Sequence, residues 1–277
     1  GDLARAKILL RKATRIFSPR ERLARARCIV AQAEIALVSR DLHWPTKTLD
    51  AAQATLEAHG DRLNAAHARY LDIRRLLLIG RLDEAERLLG QLDPAPFPPA
   101  MQTVHNLAVA GIAMRRLQAK TAHDALARAE HASRQAGIPA LTAEVDSAGR
   151  MLRAPAARLI ARGTERPLLL ADVEALQTSK ALIVDACRFA VRDRSNTVSL
   201  ASRPVLFALA RTLGEAWPQD VSRDKLIATT FRGKHADESH RARLRVEIGR
   251  LRALLKPMAS IHATADGFLL NPRGKKQ

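Results

Sequence analysis

The stretch SHRARLRVEIGRLRALLK, residues 239–256, determines how the C-terminal part of this chain folds. Leu244, Ile248, Leu251 and Leu255 recur at helical spacing, and at about 100° per residue they fall in one narrow apolar stripe. The other positions carry six basic residues, opposed only by Glu247: Arg241, Arg243, Arg245, Arg250, Arg252 and Lys256. The pattern predicts a long helix that buries the apolar stripe and exposes a basic surface.

The segments on both sides of this helix have patterns of their own. Residues 202–213 predict a helix, and Arg223–Phe231 predicts a shorter one with Ser222 as its N-cap. A turn at 232–236 joins that helix to the basic one, and residues 260–270 predict a short hairpin. Because helix, turn, basic helix and hairpin follow one another in a winged helix, double-stranded DNA is the first partner to consider.

The basic residues of 239–256 form two sets around the helix. Arg243, Val246 and Arg250 lie opposite the apolar stripe, where guanidinium groups can pair with guanine edges in the major groove. A second set flanks the stripe and can contact phosphates: Arg241, Arg245, Arg252 and Lys256. We expect phosphate contacts to supply most of the affinity and its salt dependence, and Arg243 and Arg250 to discriminate between bases.

Upstream of these helices the pattern changes to short apolar runs. The runs predict the strands of a small antiparallel sheet: 168–171, 181–185, 188–192 and 197–200. Residues 154–167 contain Pro155, Gly163 and Pro167 and lack helical periodicity, so they predict a linker. The expected C-terminal domain is therefore 168–277.

Four motifs of this region together resemble the effector domain of OmpR-class response regulators, over residues 168–272. They are Ser199-Leu200 before a helix, VSRDKL at 221–226, LRVEIGRLR at 244–252, and Ile261 followed by Asp266-Gly267-Phe268. The resemblance implies an N-terminal antiparallel sheet, a three-helix core and a C-terminal hairpin, the wing. It also implies that Arg243 and Arg250 face bases and that Arg252 contacts a phosphate.

The same resemblance implies roles for the wing and for one turn. Thr264 stands where many members have an arginine that enters the minor groove, and His262 precedes it by two residues. Arg273, in the tail, is an expected substitute contact to DNA. The turn at 232–236 corresponds to a loop that some relatives use to contact RNA polymerase, which is therefore an expected partner. A homodimer on DNA is a further expectation, whereas the family's receiver domain has no counterpart in the sequence pattern.

The first 153 residues contain a weak internal repeat. GRLDEAERLL at 80–89 resembles GDLARAKILL at 1–10, with a turn glycine, an apolar residue and a small alanine where helices approach closely. With two weaker copies, the alanines are Ala6, Ala51, Ala85 and Ala125, spaced by 45, 34 and 40 residues. This resembles the tetratricopeptide repeat (TPR). Because Gly1 falls at the turn into a second helix, we expect the chain to begin inside a repeat.

Periodicity predicts eight helices in this region: residues 2–17, 20–39, 45–59, 61–79, 82–92, 99–117, 119–136 and 139–153. Stacked helix pairs expose a concave face that commonly binds a protein or peptide, although a spacer or oligomerisation arm fits the pattern equally well. The predicted fold class is mainly α. A TPR-like α-helical repeat array over 1–153 precedes a small α+β winged helix-turn-helix domain.

Composition limits the classes of function. A formal net charge of +18 and a pI near 11.2 attract polyanions without distinguishing DNA from RNA or an anionic membrane. No apolar run is long enough for a membrane span, so we expect a cytoplasmic protein that does not bind membranes. The resemblance to OmpR-class effector domains implies that it is bacterial and nucleoid-associated. Cys28 and Cys187 lie far apart, and we expect both to be buried thiols, Cys187 in a strand. No motif indicates a catalytic site, a metal site or a cofactor.

The sequence favours a sequence-specific, DNA-binding transcriptional regulator, but two other classes stay open. One is an interaction scaffold whose winged helix contacts protein and whose basic surface is incidental. The other is an RNA- or membrane-associated adaptor. Salt-dependent binding to duplex DNA distinguishes the regulator from the scaffold.

Overall fold

The computed structural model describes residues 2–18, 20–42, 44, 46–231 and 238–273. The chain divides into two compact units, Gly1–Ala154 (unit 1) and Pro155–Gln277 (unit 2). Helices account for most of the described structure, and the strands form small sheets of two or three. The fold is therefore mainly helical.

The eight helices predicted for the first 153 residues are all present. They are α1 (Leu3–Ile16), α2 (Arg22–Val38), α3 (Thr46–Ala58), α4 (Arg62–Leu78), α5 (Leu82–Leu89), α6 (Pro99–Arg115), α7 (Ala119–Ala136) and α8 (Pro139–Arg153). Consecutive helices pack on one another, and α2 with α4, α4 with α6 and α6 with α8 are also in contact. The even-numbered helices therefore line one side of unit 1 together.

Local chemistry explains where several of these helices begin and end. Gly60 and Gly137 follow α3 and α7 with φ of 73° and 62°, a left-handed conformation that glycine adopts without a steric penalty. Asp61 caps the start of α4, because its Oδ1 accepts a hydrogen bond from the backbone N of Asn64 at 3.3 Å. Glycine thus follows the last turn of α3 and of α7, and an aspartate begins α4.

The four predicted repeat alanines differ in burial, and Ala6 is only half-buried. Ala85 and Ala125 are fully buried, as the repeat pattern predicts. The prediction for Ala51 is wrong: Ala51 is exposed and Ala52 is buried. Successive helical residues point about 100° apart, so the repeat alignment of this weaker copy is displaced by one residue.

A buried polar pair connects α4 to α6. The Tyr70 hydroxyl lies 3.0 Å from Nδ1 of His105, and the two rings meet edge to face. Burial raises the pKa of Tyr70 to about 12, and burial also lowers the pKa of His105 from its ordinary value. Both shifts favour a neutral imidazole whose Nδ1 accepts a hydrogen bond from the protonated Tyr70 hydroxyl.

Unit 2 combines three small sheets with four helices in its described part. Its elements are β1 (Ala157–Ala161), β2 (Thr164–Leu168), α9 (Leu170–Thr178), β3 (Ile183–Asp185), β4 (Ala190–Arg192), β5 (Thr197–Ser199), α10 (Pro204–Ala216), β6 (Val221–Ser222), α11 (Arg223–Phe231), α12 (Glu238–Leu255), β7 (Ala259–Ala263) and β8 (Gly267–Pro272). All strand pairs are antiparallel, in the orders β1-β2, β3-β4-β5 and β6-β8-β7.

The predicted linker at 154–167 is wrong, because most of it forms the β1–β2 hairpin. Arg162 and Gly163 supply the tight turn with φ of 53° and 74°, and Arg158 pairs with Glu165 across the strands at 3.0 Å. Pro167 is tolerated because a two-stranded sheet has free edges. The run at 168–171 is not a separate strand either: β2 ends at Leu168 and α9 begins two residues later.

The environment predicted for Cys187 is also wrong. The side chain is exposed and lies in the turn between β3 and β4. Oδ1 of Asp185 accepts hydrogen bonds from the backbone N of Cys187 at 3.0 Å and of Arg188 at 3.1 Å, which ends the strand early. Cys28 is half-buried on α2.

The core of unit 2 gathers around α12. Its predicted stripe, Leu244, Ile248, Leu251 and Leu255, is at most 1% exposed, which confirms the assignment from periodicity. The stripe belongs to one apolar cluster with buried residues of α10, α11 and the β6-β8-β7 sheet: Leu206, Leu209, Leu213, Leu226, Ile227, Phe268 and Leu270. Because these contacts fix the rotation of α12, they also fix which of its side chains face outward.

Candidate nucleic-acid interface

The outermost side of α12 carries small residues. Ala242, Val246, Gly249 and Ala253 are exposed, and a β-carbon at Gly249 would have no other atom within 4 Å. Val246 is 53% exposed. We call these four positions the outer strip. Without long side chains, the strip lets another molecule approach the helix backbone closely.

One row of arginines lies on the side of α12 that faces the β7–β8 turn and the start of α11. Arg241, Arg245 and Arg252 line a cleft of about 770 Å³ there. Arg245 pairs with Glu238 at 2.7 Å, and Arg241 lies 3.8 Å from Asp224. Both pairs are exposed to solvent, and exposed pairs contribute little stability. Phosphates can therefore replace these carboxylates at small cost.

Arg252 differs from the other members of this row. Its Nε donates to the carbonyl oxygen of Ile261 in β7 at 2.7 Å, and its guanidinium lies 5.7 Å from the centre of the Phe268 ring. The side chain therefore connects α12 to the hairpin. Its other guanidinium nitrogens have no described hydrogen-bond partner, so Arg252 can contact a phosphate without leaving the hairpin.

A second row lies on the opposite flank. The guanidinium of Arg243 is 4.7 Å from the centre of the Phe231 ring, and Arg250 pairs with Glu247 at 3.0 Å. The Glu247 side chain is only 13% exposed, and with Arg250 and Arg203 it lines a mostly apolar cleft of about 560 Å³ beside the start of α10. The predicted outward set of Arg243, Val246 and Arg250 is thus exposed along one flank and the outer strip.

Thr264 forms hydrogen bonds within the protein, whereas the expectation was a contact to DNA. Its hydroxyl donates to Oδ2 of Asp220 at 2.5 Å and accepts from the backbone N of Gly267 at 2.9 Å. These bonds close the turn, so a DNA contact by Thr264 stays a prediction that the geometry does not favour. His262 is exposed beside Ser260, whose Oγ lies 2.8 Å from its Nε2.

Arg223 has a role that the sequence did not indicate. Its guanidinium donates to the carbonyl oxygens of Ala265 at 2.7 Å and Thr264 at 3.1 Å, and its backbone N donates to Asp266 O at 3.1 Å. The guanidinium of Arg223 also lies 5.5 Å from the centre of the Phe268 ring. These contacts fasten the hairpin turn to the start of α11. The partners are some 42 residues apart in sequence, so no local pattern signals them.

The remaining predicted contacts lie at the ends of this surface. Lys256 and Arg273 are exposed, the first just after α12 and the second just after β8. The turn at 232–236, predicted to contact RNA polymerase, lies outside the described residues, as does Asp237. Together, α12, the hairpin turn and the start of α11 bring the predicted arginines onto one basic surface.

Other classes of site find little support in the described part of the chain. No three His, Cys, Asp or Glu side chains among those residues are placed to hold a metal ion. None of the described helices is both long and apolar enough to cross a membrane.

No protein-family model, curated protein or solved structure matches the chain.

Proposed function

We propose that this chain is a bacterial, sequence-specific transcriptional regulator that binds double-stranded DNA. In this proposal, unit 2 is an OmpR-like winged helix whose residues 239–256 enter the major groove, and unit 1 is a TPR-like array that recruits a partner. One observation carries the proposal: α12 exposes a strip of small residues with arginines on both flanks, while its apolar stripe is fully buried.

The two arginine rows have different tasks in the proposed complex. Arg241, Arg245 and Arg252 contact phosphates, because they line the cleft beside the hairpin. Lys256, exposed just after α12, is the fourth proposed phosphate contact. Arg243 and Arg250 reach base edges, where a bidentate contact to guanine discriminates by about 1–3 kcal/mol. The outer strip lets the helix axis come close to the bases, and Val246 offers an apolar contact to a thymine methyl group.

The hairpin supports the complex through its position. Arg223 and Arg252 connect the hairpin to α11 and α12, and Thr264 connects its turn to Asp220, so the wing approaches the DNA backbone as a fixed element. His262 and Arg273 are the exposed hairpin residues that then lie nearest to the backbone. RNA polymerase and a second copy of the chain on DNA remain expected partners of this regulator.

The test is duplex binding by the full chain against salt concentration, after selection of a preferred site from random DNA. Arg245→Ala is expected to lower the salt slope by about one unit, since each phosphate contact contributes about 0.9. Arg250→Ala is expected to reduce the preference for the selected site more than it weakens binding to unrelated duplex. Arg211→Ala is the matched control, because Arg211 is exposed on α10 and pairs with Glu215 at 2.6 Å.

Three results would count against the proposal. If the full chain shows no salt-dependent duplex binding, an interaction scaffold is the better assignment. Equal losses on selected and unrelated DNA would remove the base-reading role of Arg250. An effect of Arg211→Ala as large as that of Arg245→Ala would show that net charge, rather than the α12 surface, binds the DNA.

A further inference from the structure

One groove in unit 1 collects exposed apolar side chains. Its volume is about 400 Å³, and α2, α4, α6 and α8 line it. Its floor includes Leu37, Leu77, Val104 and Leu107. At its edges, Val38 is 59% exposed, Leu78 38% and Met151 63%. Apolar side chains concentrated at one place on a surface typically mark a site for a partner.

The charges around this groove are mostly positive. Arg40, Arg74 and Arg115 line it together with a single acidic residue, Glu144. Arg74 already pairs with Glu144 at 2.6 Å, so the charge of that carboxylate is compensated. Among the described residues, no carboxylate lies within ion-pair distance of Arg40 or Arg115. Arg115 donates to the carbonyl oxygen of Gly111 on its own helix at 2.9 Å. The groove therefore has two cations available to a partner.

The backbone conformation of Arg40 is uncommon for a residue with a side chain. Arg40 follows α2 with φ of 56°, the left-handed conformation that Gly60 and Gly137 adopt after α3 and α7. A residue with a side chain is disfavoured in this conformation. Leu117 adopts the same conformation after α6 with φ of 59°, so the conformation alone does not mark a site; of these two residues, Arg40 is the one that lines the groove.

We propose that this groove binds an acidic, amphipathic segment of another protein. Leucine-like side chains of the segment enter the apolar floor, and carboxylates beside them pair with Arg40 and Arg115. A second copy of this chain does not fit, because its formal net charge of +18 repels the groove. Nucleic acid does not fit either, since phosphates find no apolar contact and leave the floor exposed. The proposal concerns unit 1 only and does not depend on DNA binding by unit 2.

The experiment measures binding of three labelled peptides to the full chain at physiological salt. The first has about 15 residues, with leucines at helical i, i+3, i+4 and i+7 spacing and glutamates elsewhere. The second replaces the leucines with serine, and the third replaces the glutamates with lysine. We expect the first peptide to bind at least about tenfold more tightly than either of the others.

Two pairs of variants locate the peptide. Arg115→Glu is expected to weaken the first peptide about tenfold, while Arg87→Glu, an equal charge change at an exposed position on α5, changes it less than about twofold. Met151→Ser is likewise expected to weaken it, whereas Ile16→Ser, at a residue 78% exposed on α1, leaves it unchanged. Each variant's circular dichroism and melting temperature report whether it remains folded.

Several outcomes overturn the proposal. Equal binding of the leucine and serine peptides would mean that only bulk charge attracts them. Equal effects of Arg115→Glu and Arg87→Glu would mean the same. The groove is a nucleic-acid site if a single-stranded oligonucleotide displaces the first peptide and if Arg115→Glu weakens oligonucleotide and peptide binding equally. These experiments measure peptide binding to unit 1, so a negative result does not bear on duplex binding by unit 2. A negative result for duplex binding likewise does not bear on the groove.

Discussion

Replacing Gly267 with alanine is the sharpest test of how the hairpin is attached to unit 2. A β-carbon built on Gly267 would lie 1.7 Å from the carbonyl oxygen of Val221, 2.6 Å from its carbonyl carbon and 2.8 Å from Cα of Ser222. All three atoms belong to the backbone of β6, so no side-chain rotation can relieve the clash. Strand β6 must separate from β8, where Val221 pairs with Phe268 and Ser222 with Gly267.

The size of the effect follows from the contacts that separation removes. Three hydrogen bonds from Arg223 to the hairpin turn lose their geometry, those to Ala265 O, Thr264 O and Asp266 O. At about 1 kcal/mol each they amount to about 3 kcal/mol. Partial exposure of Val221 and Phe268, now 2% and 6% exposed, adds to this loss. We therefore expect Gly267→Ala to lower the free energy of unfolding by at least about 3 kcal/mol, a large part of the 5–15 kcal/mol typical of a domain.

Gly249→Ala is the matched control. Gly249 is exposed on α12 with no other atom within 4 Å of a built β-carbon, so alanine is expected to stabilise the helix by about 0.5–1 kcal/mol. The chain has two tryptophans, and in a Trp44→Phe background the fluorescence of Trp217 follows unit 2 during urea unfolding. If Gly267→Ala unfolds within about 1 kcal/mol of the parent, the close approach of β6 and β8 is refuted.

Two more predictions concern a buried histidine and an anchored arginine. Burial lowers the pKa of His105, so between that value and the unfolded value of about 6.5 the unfolded chain binds more protons, and the free energy of unfolding falls as pH drops below about 6.5. Thermal melts from pH 8 to pH 5, followed by circular dichroism, should show this loss, and His105→Asn should reduce it; a loss of equal size in the variant would assign it to other groups. Arg252→Lys keeps the positive charge but loses the Nε bond to β7, so we expect about 1–2 kcal/mol lower stability with an unchanged salt slope of duplex binding. Arg252→Ala should lower both quantities, and a normal slope in that variant would exclude a phosphate contact.

Local periodicity was sufficient to predict those parts of the fold in which a helix buries one face. The stripe from Leu244 to Leu255 was predictable because each apolar residue repeats at the spacing of helical turns, and the same reasoning located all eight helices of unit 1. The β1–β2 hairpin was not predictable in this way. Its strands expose most of their side chains, including Arg158 and Glu165, so their composition is that of a linker. The hairpin is held together by the pairing of its two strands, and the pattern within one segment does not show which segments pair.

The candidate site, too, could be predicted from the sequence only in part. Which arginines of α12 point outward follows from the helical wheel, and the structure agrees for Arg243 and Arg250. What each arginine contacts depends on residues far along the chain. Arg252 reaches the carbonyl oxygen of Ile261, and Thr264 reaches Asp220, 44 residues away. Thr264, which the resemblance places where many members have a minor-groove arginine, fastens the hairpin turn through Asp220 and Gly267, and neither contact follows from the sequence pattern.

Net charge alone is a poor guide to what this surface does, because the contacts of each arginine decide how available it is. In the unbound chain Arg241, Arg245 and Arg250 each have a carboxylate partner: Asp224, Glu238 and Glu247. The pairs of Arg241 and Arg245 are exposed and cost little to displace, whereas displacing Arg250 leaves Glu247, which is 13% exposed, without its cation. In the proposed DNA complex, a base edge that matches Arg250 must compensate for that loss, so Glu247 would favour a matching duplex over unrelated polyanions despite the net charge of +18.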